Sequence, residues 1–243
     1  APDAPRLEYL DAESMRRAWH LRKAGEPLLH AIPGERKPVT FVEDTAVDPS
    51  RLRAFVHEFK AIVERHGTRA AYWAHASVGC LHIRPLINLR DERDRAAMVA
   101  IAKEVADLVM RHGGALSGEH GDGRVRTPLL ERVLGPALCD AFRKVKRLFD
   151  PQGLLNPGNI VDSGTPLRIL DHHRVKPIDR VIDAPHGDGV TFYRYEREGG
   201  FGHAIDQCNG AGLCRRMAPG AMCPSYRATL EERHATRGRG NAL

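Results

Sequence analysis

Between Ala74 and Pro85 the chain reads AHASVGCLHIRP, with two histidines, His75 and His82, on either side of a short turn-forming segment, Ala76-Ser77-Val78-Gly79. Strand-forming residues flank that turn, so the stretch predicts a β-hairpin whose neighbouring strands bring His75 and His82 into the same space. Further on, Ser117 to Gly123 reads SGEHGDG and sets a carboxylate and an imidazole side by side, Glu119 and His120, among glycines that let the backbone approach a ligand closely. Two imidazoles and one carboxylate, His75, His82 and Glu119, are the composition of an open three-ligand site for a divalent metal, zinc above all, with room left for water or substrate. His120 is then free to move protons. The chain holds 13 histidines, and spacing alone serves structural or surface histidines as well as it serves ligands.

At 243 residues the chain is long enough for one domain with a substantial core and a small second one. Its 42% hydrophobic and 28% charged residues are those of a globular protein. No apolar run reaches the length of a membrane span, and the opening APDAPRLEYL lacks the basic start and apolar core of a signal peptide. The chain does not begin with Met and reads as a piece of a longer polypeptide. A net charge of +6 raises nucleic acid as a partner, but acidic and basic residues interleave and aromatics make up only 6%, so nucleic-acid binding is not expected. The basic cluster from Arg233 to Arg239 reads as a solvated or partner-facing tail. Five scattered cysteines argue for a reducing compartment, cytoplasmic or at the inner face of a membrane, and against a disulfide framework.

Along the chain, residues 11–30 read as a helix interrupted near Gly25 and Pro27. Val39 to Val47 is strand-like, and Asp48-Pro49-Ser50 starts a helix with Leu52, Phe55, Val56, Phe59, Ile62 and Val63 at helical spacing. The two hairpin strands, Ala70 to His75 and Leu81 to Leu89, come next. Asp91 to His112 is a second amphipathic helix stopped by Gly113-Gly114, and a further short strand or loop delivers Glu119 and His120. The order strand, helix, strand, strand, helix, strand predicts an α+β fold, a ferredoxin-like antiparallel sheet with helices on one face. Leu129 to Leu134 and Pro136 to Phe149 read as helices. Residues 1–163 then form the main domain, 164–198 a proline-rich linker, and 199–243 a small second segment.

The run H-x-[GS]-x-G-x-x-H-x-R-P from His75 to Pro85, SGEHGDG, and Phe149-Asp150-Pro151-x-Gly153-x-x-Asn156-Pro157-Gly158 together resemble the C-terminal domain of FAD-linked oxidases of the vanillyl-alcohol oxidase superfamily. Within that superfamily the likeness is to dehydrogenases of D-2-hydroxy acids such as D-lactate and D-2-hydroxyglutarate, and it runs from about Trp19 to Val161. It implies FAD, bound mostly by an N-terminal domain that no segment here resembles. It implies a divalent metal on His75, His82 and Glu119, with His120 as the base that takes the substrate hydroxyl proton while the C2 hydride leaves for the flavin. Arg22, in a Trp-x-x-Arg element, is an implied carboxylate-binding residue. Arg84, two residues past His82, falls on the same strand face by alternation and is a second candidate to neutralise a carboxylate, where many relatives carry Asn. Asn156 is an implied flavin contact. Ser77 stands where the family usually has glycine.

Cys208, Cys214 and Cys223-Pro224 look like the first half of a two-cluster ferredoxin module, whose pattern is C-x2-C-x2-C-x3-C-P. Ala211 occupies the second cysteine position, so three thiolates form an incomplete ligand set, either with its other ligands downstream or with one ligand lost. The function expected from all this is oxidation of a small 2-hydroxy acid with electrons passed through iron–sulfur to an unidentified acceptor. The alternatives are an iron–sulfur electron-transfer subunit without substrate chemistry of its own, or a basic interaction module.

Overall fold

The computed structural model describes residues 7–30, 32–161, 168–171, 192–197, 200–205, 208, 212–217, 220 and 222–242. The expected boundary near residue 163, most of the expected linker and Ala211 lie outside the described residues. By contact the chain divides into two units, Glu35–Asp179 and Ala1–Gly34 with Arg180–Leu243.

The unit Glu35–Asp179 is α+β. Its first strand pieces are β1 (Lys37–Pro38) and β2 (Thr45–Ala46), followed by α2 (Leu52–Arg65), β3 (Ala70–His75), β4 (Cys80–Ile87) and α3 (Glu92–Arg111). Asp48 opens the first of these helices through a 3-10 turn at Pro49–Arg51, its carboxylate accepting the Ser50 N–H at 2.8 Å. Asp91 does the same for α3, accepting the Asp94 N–H at 2.9 Å, and Gly113 at φ +61° lets the chain turn away after it.

β4 is the centre of the sheet. β3 lies antiparallel on one side with Trp73 opposite His82 and His75 opposite Cys80. β2 and β1 lie antiparallel on the other side, and Ala46 bridges to Ala115 beyond them. This is the pairing order that two interleaved β-α-β units require, and it agrees with the order of elements read from the sequence. Leu81, Ile83 and Ile87 point from β4 into a core made with Phe55, Phe59, Ile62 and Val63 of α2 and Met98, Ile101, Val105, Leu108 and Val109 of α3. The alternation of the strand therefore sends Cys80, His82 and Arg84 to the opposite face.

The stretch Val39 to Val47, expected as one strand, is interrupted. Pro38 faces Leu86 and Thr45 faces Leu81, so six residues, 39–44, run opposite four, 82–85. The two extra residues bulge, and Asp44 adopts φ +75°. Phe41 and Val42, adjacent in sequence, are both buried in the core as a result.

After α3 come α4 (Gly123–Arg126), α5 (Leu130–Leu134) and α6 (Pro136–Phe149). Pro136 sits in the first turn of α6, as the sequence predicts. Asp150 then ties the following loop, accepting the N–H groups of Leu154 and Leu155 at 2.9 Å each and the Lys146 ammonium at 2.6 Å.

In the other unit, α1 (Ala12–His30) is one helix capped by Asp11, which accepts the Ser14 N–H at 2.8 Å. The interruption expected near Gly25 and Pro27 does not occur: the helix runs through both positions to His30. α7 (Phe201–Ile205), α8 (Pro224–Thr229) and α9 (Thr236–Ala242) are short, with Pro224 in the first turn of α8.

Candidate active site

His75 and His82 meet as the hairpin predicts, with ring centroids 5.3 Å apart and planes nearly perpendicular. The turn between them is a 3-10 turn, Ala76–Val78, closed by Gly79 at φ +73°. Ser77 fits there, since its φ is not positive; only Gly79 needs the left-handed conformation. A Cβ at Gly79 would also lie 1.8 Å from the Val47 carbonyl oxygen.

The loop after Ala115 carries Glu119 and His120 over the same face. Three imidazole Nε2 atoms surround one oxygen, Glu119 Oε1: His82 at 3.1 Å, His120 at 3.4 Å and His75 at 3.7 Å. His120 stacks on His82 with centroids 5.1 Å apart. Among the described residues, ligand atoms of Asp44, His82, Glu119 and His120 lie within 4.8 Å of one another.

Asp44 stands in that group for a different reason. Its carboxylate is fully buried and accepts from Ser117 Oγ at 2.5 Å, the His120 N–H at 2.9 Å, the Glu119 N–H at 3.0 Å and Cys80 Sγ at 3.4 Å. Burial would push its carboxyl group up, but the bonds from Ser117, His120, Glu119 and Cys80 outweigh it and hold the group below the ordinary carboxylate range. With its oxygens taken by these donors, Asp44 is the clamp that shapes the loop, and His75, His82, Glu119 and His120 remain as the donors facing outward. Arg126 of α4 closes the loop from behind, donating to the carbonyls of Glu43, Gly121 and Leu116.

Two further side chains complete the face. Glu43 pairs through Oε2 with Arg84 Nε and places Oε1 3.6 Å from His120 Nδ1. Arg84 lies over the Trp73 ring, 5.5 Å from its centroid. The Cys80 thiol is pushed up to about 11 by burial and by the Asp44 and Glu119 carboxylates.

The sequence reading missed Glu43, Asp44, Ser117 and Arg126. Regular alternation would send Glu43 and Asp44 to opposite faces, and only the bulge brings both to the site. Glu-Asp followed by Pro five residues after Asp44 held no independent signal. The remaining expected residues belong to other elements. Arg22 sits on α1, in the other unit, with its guanidinium 5.9 Å from the Trp19 ring. Asn156 is exposed at φ +43° in a loop tied to the α4 region by Arg124 to the Pro157 carbonyl and by the Ile160 N–H to Thr127 Oγ1. Of the cysteines, Cys208 is exposed, and Cys214 and Cys223 are half-buried. Cys223 Sγ meets Thr236 Oγ1 at 2.9 Å and accepts the Thr236 N–H, bonds that pull its thiol below the usual range.

Fold and site together define an α+β domain that carries an open imidazole–carboxylate centre on the exposed side of an antiparallel sheet. The chain belongs to the family described as FAD linked oxidases, C-terminal domain, whose model matches residues 7–160. It is 36% identical over 233 residues to the D-2-hydroxyglutarate dehydrogenase of Pseudomonas putida, covering 96% of this chain and 22% of that protein. It is 33% identical over 231 residues to the enzyme of the same name from Escherichia coli, covering 93% of this chain and 21% of that one. A D-lactate dehydrogenase from Archaeoglobus fulgidus is 33% identical over 128 residues, 53% of this chain and 28% of the relative. The chain thus spans about a fifth of the length of the D-2-hydroxyglutarate dehydrogenases named here.

Proposed function

We propose that this chain carries the substrate-handling part of a flavin-dependent dehydrogenase that oxidises a D-2-hydroxy acid, with D-2-hydroxyglutarate as the first substrate to test. One observation carries the reading: three Nε2 atoms converge on Glu119 Oε1 on the open face of the sheet, in a chain of this family. The donors fit a divalent ion of the zinc or manganese kind: imidazole nitrogens of His75 and His82 and the Glu119 carboxylate converge on one point. His75, His82 and Glu119 would hold such an ion, which would supply Lewis acidity toward the substrate.

His120, beside these donors, is the proposed acceptor of the hydroxyl proton, and FAD, held outside this chain, would supply the acceptor for the C2 hydride. Arg22 and Arg84 are the proposed carboxylate partners. Arg84 is already paired with Glu43, which favours an indirect role for it. Asn156 is the proposed flavin contact.

The apolar stripe of α6 supports a flavin-bearing neighbour. Leu138, Val145, Leu148 and Phe149 are exposed, with Leu154 and Leu155 beside them in sequence, an apolar surface that a free-standing domain does not ordinarily present. Cys208, Cys214 and Cys223 are proposed ligands of an iron–sulfur cluster completed from outside this chain, which would carry electrons onward. The match to the Pseudomonas putida relative extends over 96% of the chain and so includes this cysteine segment.

Metal content by elemental analysis tests the centre. The chain should take up about one zinc or manganese ion, and His82→Ala and Glu119→Ala should each abolish uptake. A chain that binds neither ion after reconstitution would sink the metal-assisted reading.

A further inference from the structure

We propose that Thr236 and Glu232 are positioning residues for the cysteines of the second segment: Thr236 holds the Cys223 sulfur, and Glu232 ties the arm that carries Cys214 to the same turn. This deepens the function proposed above and rests on its reading of Cys208, Cys214 and Cys223 as iron–sulfur ligands.

Cys223 makes two contacts with one residue. The Thr236 N–H donates to its Sγ at 3.3 Å, and the Thr236 hydroxyl lies 2.9 Å from the same sulfur. A ligating thiolate carries no proton, so the hydroxyl becomes a donor and the sulfur then accepts from both groups. Hydrogen bonds to a ligand sulfur stabilise the more negative, reduced state of a cluster and raise its reduction potential. Thr236 is fixed before it reaches the sulfur. Ala235 beside it is fully buried, and α9 packs so closely on the 3-10 turn Glu232–His234 that a Cβ at Gly238 would lie 1.9 Å from the Glu232 carbonyl oxygen. Arg239 reaches back from α9 to Ser225 Oγ at 3.0 Å, two residues past Cys223.

Glu232 makes the second tie. Its Oε1 accepts from Arg237 Nε at 2.7 Å, and its Oε2 accepts from Arg215 Nη1 at 3.3 Å. Arg237 follows Thr236 and Arg215 follows Cys214, so one carboxylate joins the arm that holds the Cys223 sulfur to the arm that carries Cys214. The Arg237 guanidinium is held above its ordinary range by Glu232 first, and the Cys214 and Cys208 sulfurs add to the effect. Three sulfurs separated in sequence thus gather around Thr236 and Arg237, as thiolates that share one cluster must. Thr236 and Glu232 act through the cysteines and their neighbours and ligate no metal themselves.

Anaerobic reconstitution of the chain with ferrous iron, sulfide and dithiothreitol, the small thiol standing in for ligands outside the chain, gives the first readout. Thr236→Val removes the hydroxyl and keeps the N–H. It should take up iron and sulfide as the native chain does and lower the cluster's reduction potential in a dye-mediated titration, and Thr236→Ser should restore the native value. Glu232→Gln should hold several-fold less cluster. A native potential and a native electron paramagnetic resonance spectrum in Thr236→Val overturn the role of Thr236, and native cluster content in Glu232→Gln overturns that of Glu232. Where the native chain takes up no iron, dibromobimane, which fluoresces once it bridges two thiols, reads the placement of the sulfurs, and peptide mapping locates the bridge. Cys214 and Cys223 should be bridged in the native chain and several-fold more slowly in Glu232→Gln. That outcome loses the iron–sulfur reading and keeps the positioning of the thiols. No bridge between them in the native chain, or one formed as fast in Glu232→Gln, overturns the proposal.

Discussion

Asp44 shows how much of a site can depend on a side chain that does none of its chemistry. Replacing it with Asn turns one of its oxygens into a donor, aimed at the N–H of either Glu119, which bonds Oδ1, or His120, which bonds Oδ2, and leaves that part-buried N–H without an acceptor. Asp44→Asn should cost about 1–3 kcal/mol of stability by denaturant unfolding. It should also weaken metal binding by roughly 10–100-fold in a titration, as loss of an outer partner of ligands does. Unchanged affinity would show that the loop holds its shape without this carboxylate. Gly79 is the second test at this scale. Gly79→Ala forces a left-handed φ on alanine and a contact with the Val47 carbonyl, and it should destabilise by at least about 1 kcal/mol. The histidines, Glu119 and Gly79 were legible in the sequence because each is a chemically distinctive residue at a turn. Asp44 and Glu43 were not, because their role exists only where the bulge places them.

At the scale of elements, α2 and α3 hold each other through matched clamps. Arg65 and His66 at the end of α2 grip Glu104 at 2.5 and 2.7 Å, and Arg111 and His112 at the end of α3 grip Glu58 at 3.0 and 2.9 Å. Each histidine bond lowers its glutamate's carboxyl below the ordinary range, with the neighbouring arginine adding to the effect. A carboxyl depressed in the folded state contributes stability above its unfolded pKa and loses it as pH falls through the folded value. The chain should therefore lose part of its stability below about pH 4, the ordinary carboxylate range. Glu58→Gln with Glu104→Gln should flatten that decline in acid unfolding curves. Asp150 behaves in the same sense: the Lys146 ammonium and the Leu155 and Leu154 N–H groups hold its carboxyl at about 2, so the loop it ties persists until pH falls towards that value. The helices themselves were readable from apolar spacing and caps. Their mutual clamps were not, since Glu58 and Arg111 are 53 residues apart.

For the whole molecule, α6 sets the expectation. Its inward side carries Cys139 while Leu148 and Phe149 are exposed, so the helix is amphipathic in the direction a partner would use. Leu148→Asp with Phe149→Ser should leave the unfolding midpoint of this chain almost unchanged. A large loss of stability would place those side chains in the fold's own core instead. Among the described residues no helix is long and apolar enough to cross a membrane.

The sequence by itself determined the order of elements in the α+β unit, the hairpin that pairs His75 with His82, and the family to which the motifs point. Those features are local: helical spacing, caps, turn residues and a reactive residue beside a glycine are set by neighbours along the chain. Only the tertiary structure decided that a bulge turns Glu43 and Asp44 toward the histidines, that Asp44 is a clamp, and that Arg84 answers to Glu43. Each of those depends on groups about 40 to 80 residues apart meeting on one face of a sheet, and pairing across such separations follows from strand register and packing rather than from any local preference.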